Sequence, residues 1–419
     1  MLKDQALLVL AKLEEHGYEA YFVGGCVRDW LLKRPVHDID ICTNAQPCDI
    51  MRIFPDHILT GIQHGTISVK QGGALFEVTT YRTEGTYADH RHPSEVRFVS
   101  DLREDLARRD FTINAMAIDR HDRLSDPFSG QTDLLSKLIR TVGSATERFT
   151  EDALRLLRAA RFAAQLQFAI ENKTEQAMAE CAEMLIHIAK ERIHAELHKL
   201  IDSDHPGNGV NILVATRLLR VFPELERLFD RAASWADRLT KLGSIAQKWA
   251  FLFYAAETSL EESQRVADLL RMSNRERDKT VELVGMLQQI APKWDQPIEV
   301  EWGPMLLRYG WETCMEADNL LQSIWTHQQD RASSRSLIYT YEQMPVKSLK
   351  DLAITGRDLL VATGKKPGPW VAHTLTYLLE QTAFHSLPNT LDALLAAARK
   401  EVERYEHQTG DTESFSGES

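Results

Sequence analysis

Asp38 and Asp40, in the run His37-Asp38-Ile39-Asp40-Ile41-Cys42, set two carboxylates one residue apart. The alternation of apolar and acidic residues predicts a strand with both acids on one face. Carboxylates this close repel each other unless a cation offsets them, and hard oxygen donors suit Mg²⁺, completed by substrate phosphates. Just upstream, Gly24-Gly25-Cys26-Val27-Arg28-Asp29 reads as a glycine turn entering a short helix. Its backbone N–H groups would receive a phosphate, with Gly25 and Arg28 beside it. Together the two segments predict a metal-dependent site for a nucleoside triphosphate. On its own, the Asp pair is better explained as the solvent face of a half-buried edge strand.

In-line attack on a nucleotide also needs a third carboxylate and a grip on the triphosphate. Glu77, in Leu75-Phe76-Glu77-Val78-Thr79-Thr80-Tyr81, is the candidate carboxylate, with Phe76 and Val78 pointing the other way. In Arg108-Arg109-Asp110-Phe111-Thr112-Ile113-Asn114, Arg109 could clamp a phosphate and Asp110 could accept from a ribose hydroxyl. A surface helix with an internal ion pair explains that run equally well by itself. A fourth segment is Glu151-Asp152-Ala153-Leu154-Arg155-Leu156-Leu157-Arg158-Ala159-Ala160-Arg161. Read as helix, it places Asp152 and Arg155 at i, i+3 on one face, continued by Arg158 and Arg161. An Asp acceptor beside an Arg donor matches the edge of cytosine or adenine, each an amino donor beside a ring acceptor. Uracil and guanine present a carbonyl beside a ring N–H and would leave both partners unsatisfied, at about 1–3 kcal/mol per group. The ordinary alternative is an amphipathic helix laced with ion pairs.

These residues need a sheet and a helical scaffold to hold them. Strands are expected at Tyr18–Val23, Asp38–Thr43, Thr66–Lys70, Ala74–Tyr81 and Ala115–Asp119, with glycine and proline between them, as in an α/β domain. From about residue 145 the pattern is helical and no further strand is expected. Breaks fall at Asp202–Gly209, Pro292–Pro297 and Gly364–Pro369. The first residues, MLKDQALLVLAKLEEHG, read as an amphipathic helix. A chain of 419 residues exceeds one ordinary core, so two to four domains are expected. No run approaches the ~18 apolar residues of a membrane span. Five cysteines, odd in number and without a CxxC spacing, point to a reducing cytoplasm and away from structural zinc.

The ordered set GGxVRD, DxD, FEVTTYR, RRDFTINAMA and EDALRLLRAARF is more specific than any of its members. It resembles the bacterial class II tRNA nucleotidyltransferases, the superfamily of CCA-adding enzymes and bacterial poly(A) polymerases, and most closely the short, Bacillus-type CCA-adding enzymes. The resemblance implies an α+β fold. A nucleotidyltransferase-type head with a small twisted sheet would occupy 1–140, followed by an all-helical neck (141–205), body (206–325) and tail (326–405). An acidic, disordered end would occupy 406–419. It implies that Asp38 and Asp40 ligate Mg²⁺ with Glu77 as the third carboxylate. Gly25, Arg28 and Arg109 would lie at the triphosphate, Asp110 at the ribose, and Asp152 and Arg155 at the base, followed by Arg158 and Arg161. It implies that the 3′-hydroxyl of tRNA attacks the α-phosphorus of CTP or ATP. Two metal ions would assist, with no protein nucleophile and no nucleic-acid template.

In the same resemblance Thr83–Ser100 is a flexible loop that helps the pocket pass from CTP to ATP. Tyr87, Asp89, Arg91 and Pro93 are all present, which argues against a CC-only enzyme. An A-only adding enzyme, a poly(A) polymerase and a non-catalytic RNA-binding relative stay open as alternatives, as does a homodimer. The net charge of −12 does not exclude a nucleic-acid partner, because a polyanion needs a local basic surface rather than a basic average. Lys347, Lys350, Arg357, Lys365 and Lys366 are candidate phosphate contacts, or else plain solvated surface. His187, Glu191, His194 and His198 fall at helical spacing and are read as a solvated face rather than a metal site. Trp30 and Trp370 are read as core or interface anchors.

Overall fold

The computed structural model describes residues 2–85, 96–290, 300–324 and 330–413. The chain divides into two compact units, 1–240 with 255–277, and 241–254 with 278–419. In the first, α1 (Leu2–Glu15) lays Ala6, Val9, Leu10 and Leu13 against the sheet core, the helical spacing read in the sequence. Then follow β1 (Ala20–Val23), α2 (Gly25–Leu31), β2 (Asp40–Thr43), α3 (Pro47–Ile53), β3 (His57–Gly61), β4 (Thr66–Gln71) and β5 (Ala74–Thr80). Next come β6 (Arg82–Glu84), β7 (Val96–Phe98), α4 (Leu102–Ala107), β8 (Ala117–Ile118) and β9 (Leu124–Ser125). Seven of these strands form one sheet in the order β3-β4-β5-β2-β1-β8-β9. Only β2 and β5 pair in parallel, the others antiparallel. Val23, Cys42, Tyr81, Leu106, Ala115, Ala117 and Val142 form one buried cluster beneath it.

Three expectations about the sheet need correction. Strand β3 was not foreseen: as an edge strand its middle residues are exposed, so it lacks the apolar alternation that marks a half-buried strand. Strand β2 starts at Asp40, not Asp38. Its partner β1 ends at Val23, opposite Asp40, and Gly24 then leaves the sheet with φ 79°. Asp38 therefore lies just before the ladder, yet with Ile39 buried between them Asp38 and Asp40 both stay on the exposed side. The segment Thr83–Ser100 is not loop throughout. Its ends pair as an antiparallel stem, Arg82 opposite Phe98 and Glu84 opposite Val96. Tyr87, Asp89, Arg91 and Pro93 lie outside the described residues.

The helical part of this unit runs through α5 (Gly130–Leu135), β10 (Leu138–Ile139), α6 (Ala145–Glu151), α7 (Leu154–Leu166), β11 (Ala169–Ile170), α8 (Asn172–Cys181) and α9 (Lys190–Ile201). Strand β11, paired in parallel with β10, is a short strand where only helix was expected. Beyond it stand α10 (Pro206–Ala215) and α11 (Pro223–Ala232). The break at Asp202–Gly209 ends with α10 crossing α7 and α9 so closely that a Cβ on Gly209 would sit 2.8 Å from Ala164 Cβ and 3.0 Å from the Ala160 carbonyl. Helix α12 (Ile245–Ala255) belongs almost entirely to the second unit, α13 (Leu260–Leu269) to the first, and α14 (Asn274–Ile290) starts in the first.

The second unit continues with α15 (Trp302–Ile324), broken at Gly310 by a φ of 78°, and α16 (Asp330–Gln343). Then come α17 (Gly356–Thr363), α18 (Pro369–Phe384) and α19 (Leu391–Glu413). Trp370, Leu378, Leu359 and Leu394 centre its core, so Trp370 is an anchor as expected. Helix α17 stops at Gly364 in the left-handed region and α18 starts at Pro369, the break read at Gly364–Pro369. Helix α19 runs well into the segment expected to be a disordered end. All five cysteines are free thiols. Among the described residues no helix is long and apolar enough to cross a membrane.

Candidate active site

The site begins where β1 gives way to α2. Gly24 carries a positive φ, and a Cβ there would lie 3.0 Å from Arg109 Nη1 and 3.9 Å from Asp40 Oδ2. Glycine at this position therefore admits both the turn and the approach of an acid and a guanidinium. On the neighbouring strands, Asp40 stands directly opposite Glu77 in the parallel β2–β5 register. Phe76 and Val78, 1% and 0% exposed, face the core, so Glu77 faces outward beside Asp40. The Asp40 carboxyl titrates above its ordinary range. Loss of water around it is the main cause; Arg109 opposes the shift, and the charges of Glu77 and Asp38 add to it. Asp38, Asp40 and Glu77 thus act on one another as a crowded all-oxygen set, the donor chemistry that fits a hard divalent cation.

Arg108 and Arg109 follow α4, and fully buried Asp105 holds both, at 2.8 Å from Arg108 Nη2 and 3.3 Å from Arg109 Nη2. Burial tends to raise the Asp105 carboxyl, but the two arginines prevail and it lies below the ordinary range. Arg109 Nε is buried with no hydrogen-bond partner. An arginine aimed at a carboxylate cluster with an unsatisfied donor is suited to receive a phosphate oxygen.

Asp110 is buried, and its four acceptor positions are all taken. Oδ1 accepts from Phe111 N (2.8 Å) and Asn114 Nδ2 (3.1 Å), and Oδ2 from Arg158 Nε (2.8 Å) and Nη2 (2.6 Å). Burial works to raise its pKa, but Arg158 and the Asn114 hydrogen bond hold it well below the carboxylate range. A ribose hydroxyl therefore reaches Asp110 only in exchange for a donor, and Arg158, with its side chain 33% exposed, has room to move. Arg28 joins the same lattice. It forks onto Asp29 at 2.9 Å through Nε and Nη2 and donates to Asn114 Oδ1 at 2.8 Å. The guanidiniums of Arg28, Arg158 and Arg161 gather around the Phe162 ring at 5.1, 5.3 and 4.1 Å.

Asp152 and Arg155 are not i, i+3 neighbours on one helix face. Asp152 is the extended residue between α6 and α7 (φ −136°, ψ 102°), and its Oδ1 accepts from Leu154 N at 3.0 Å. An Asp is favoured at such a break because its short carboxylate caps the next helix. Arg192 of α9 approaches Asp152 Oδ2 at 3.0 Å. Arg155, inside α7, donates to Glu151 (2.6 Å) and to the carbonyls of Arg148 (3.0 Å) and Arg108 (3.2 Å). The last of these bonds ties the helix to the segment that carries Arg109. Arg161 is buried, paired with Glu196 at 2.5 Å and with Gln165 at 2.9 Å.

The structure thus adds Asp105, Asn114, Glu151, Arg192 and Glu196 to the residues read from the sequence. Asp105 and Glu151 were within reach of an i, i+3 and i, i+4 count. Arg192 and Glu196 carried no local signal, since their partners lie more than one helix away.

Residues 20–140 match the model of the Poly A polymerase head domain, 167–229 that of the "Probable RNA and SrmB- binding site of polymerase A", and 240–398 that of tRNA nucleotidyltransferase domain 2. The CCA-adding enzyme of Geobacillus sp. (strain WCH70) is 40% identical over 388 residues, 91% of this chain and 93% of that one. The CCA-adding enzyme of Listeria monocytogenes serotype 4b (strain F2365) is 40% identical over 375 residues, 88% of this chain and 91% of that one. Among solved structures, the Bacillus stearothermophilus CCA-adding enzyme in complex with CTP matches with a TM-score of 0.86 and 33% identity, over 97% of this chain and 98% of that one.

Proposed function

This chain belongs to the CCA-adding enzymes, a family of tRNA nucleotidyltransferases, and from that membership we infer that it adds C, C and A to the 3′ end of tRNA, taking them from CTP and ATP. The observation that carries the reading within this chain is the in-register pairing of Asp40 with Glu77 beside Asp38 and Arg109.

Asp38, Asp40 and Glu77 would hold a divalent cation, Mg²⁺ by the hardness of the donors, which when bound would supply acidification of the attacking hydroxyl and charge compensation for the triphosphate. Arg109 takes the triphosphate through its guanidinium beside Gly24, Asp105 keeps it from swinging away, and Gly24–Gly25 leaves the backbone open beside it. Arg28, fixed by Asp29 and Asn114, borders the same space. Asp110 selects the ribose by yielding its Arg158 donor to the 2′-hydroxyl. Asp152 accepts the amino group of cytosine or adenine and Arg155 donates to the ring nitrogen. Each is already held by protein partners, which supports a fixed edge that rejects uracil and guanine. The same framework assigns the head to 1–140, the neck to 141–205, the body to 206–325 and the tail to 326–405. The tail lysines and arginines, Lys347, Lys350, Arg357, Lys365 and Lys366, then serve the tRNA backbone.

The test uses three tRNA transcripts, ending before CCA, after C and after CC, each with Mg²⁺ and CTP, ATP or both. Completion of CCA on the bare end is the expected result. A single A added only to the CC-ended transcript would make this an A-adding specialist, and long A tracts a poly(A) polymerase.

A further inference from the structure

Helix α9 carries Arg192 and Glu196 toward Asp152 and Arg161. Two residues along from each, about 200° around a helix, stand His194 and His198, on the opposite face. There they meet Glu276, in the first turn of α14. His194 Nε2 lies 3.2 Å and His198 Nδ1 3.9 Å from the same carboxylate oxygen, Glu276 Oε1. The imidazole rings stand edge-on at 5.8 Å, and one donor atom from each of the three residues lies within 4.8 Å of the others. His187 and Glu191, which share the helical spacing in the sequence, are not part of this cluster.

We propose that His194, His198 and Glu276 form a binding site for a borderline divalent cation of the Zn²⁺ type, separate from the carboxylate site of the sheet, with solvent as the fourth ligand. Zinc bonds of 2.0–2.1 Å in a tetrahedron set donor atoms about 3.4 Å apart. The two imidazole–carboxylate separations, 3.2 and 3.9 Å, bracket that value. Two nitrogens and one oxygen select zinc, nickel or cobalt over Mg²⁺, which prefers all-oxygen surroundings. The His194 and Glu276 side chains are 13% and 15% exposed, whereas that of His198 is 37% exposed, which leaves a way in for the ion and for a water. An ion here would tie the start of α14 to the helix from which Arg192 holds Asp152.

The full chain, free of any affinity tag, is titrated with Zn²⁺ in excess Mg²⁺ by calorimetry, alongside His194→Gln/His198→Gln and Glu276→Gln. The unaltered chain is expected to bind one equivalent more than the double variant, and Glu276→Gln to bind that equivalent at least about tenfold more weakly. All three are expected to incorporate CTP alike in Mg²⁺ alone. Equal zinc stoichiometry in the unaltered chain and the double variant would overturn the proposal. X-ray absorption of the unaltered chain with one equivalent of Zn²⁺ decides without any variant. Two imidazoles in the zinc shell support the site, and a shell of carboxylate oxygen only places the ion on the sheet and overturns it.

Discussion

At the start of β2, three carboxylates, Asp38, Asp40 and Glu77, crowd against the guanidinium of Arg109. Along α7 every motif arginine meets an acid: Arg155 with Glu151, Arg158 with Asp110, Arg161 with Glu196. Even the acid at the head of that helix, Asp152, has an arginine, Arg192. The first region holds charge in excess and the second holds charge in balance. Excess suits a place where a cation and a polyphosphate arrive together and complete the balance. Balance suits a place where side chains must hold still and discriminate one base edge from another. The carboxyls shift in opposite senses: burial raises Asp40, with Glu77 and Asp38 adding to it, whereas Arg158 and Asn114 outweigh burial and lower Asp110.

The sharpest way to break this contrast is to neutralise one acid of the crowded set. Asp40→Asn is expected to cut single-turnover CTP incorporation by more than about a thousandfold, roughly 4 kcal/mol of transition-state stabilisation. Without metal the same variant should melt higher than the unaltered protein, because it removes repulsion. A lower melting temperature would show that the crowding is already relieved within the protein. In the balanced region the expected sign reverses. Arg161→Met strands Glu196 in the interior and should cost about 3–5 kcal/mol of stability in a denaturant titration. A loss below about 1 kcal/mol would mean that the pair is not the buried one described.

Selectivity probes the same balance at smaller scale. Asp152→Ala is expected to reduce the preference for C and A over U and G by about 1–3 kcal/mol in a four-nucleotide competition. Arg192→Ala should move selectivity the same way but less, since Asp152 keeps the Leu154 N–H. Unchanged selectivity in both would remove the edge-reading account. The smallest effect is the pH dependence. A raised carboxyl costs stability when ionised, so the advantage of Asp40→Asn in metal-free melting should shrink as pH falls and the native Asp40 takes up its proton. A lowered carboxyl contributes stability at neutral pH that is lost only as pH falls through its folded pKa. The deficit of Asp110→Asn should therefore persist to much more acidic pH.

What the sequence disclosed follows the range of each interaction. Glu77 was legible because strand alternation fixes which face it takes, and β5 presents it as expected. Arg109 is marked by the sequence as a candidate clamp, whereas its fixation by Asp105, within one helical turn, is a contact that the run of residues does not announce. Asp152 was identified and its setting was not. The run EDALRLL has helical composition, and the break at Asp152 depends on a carboxylate turned to cap Leu154, a choice made by side-chain rotamer and not by pattern. The saturation of Asp110 was out of reach for another reason: Arg158 lies far along the chain and arrives only through packing of α7 against the head. Glu276 likewise meets His194 and His198 only once α14 is in place.

The sheet order has a consequence for how the molecule is made. The last strand of the seven ends at Ser125, and the strand that completes the inner pairing, β8, joins β1 across most of the head. Hairpin β4–β5 can zip locally, whereas β1 must wait for β8. On the ribosome, then, the acidic sheet can be assembled while Arg158, Arg161 and Arg192 are still unsynthesised or inside the exit tunnel. For that interval Asp110 lacks the Arg158 guanidinium that holds it in the finished protein. Arrest of translation once Ser125 has cleared the tunnel but before Arg158 has emerged should expose a head with a formed sheet and a loose floor, and release through Arg192 should tighten it.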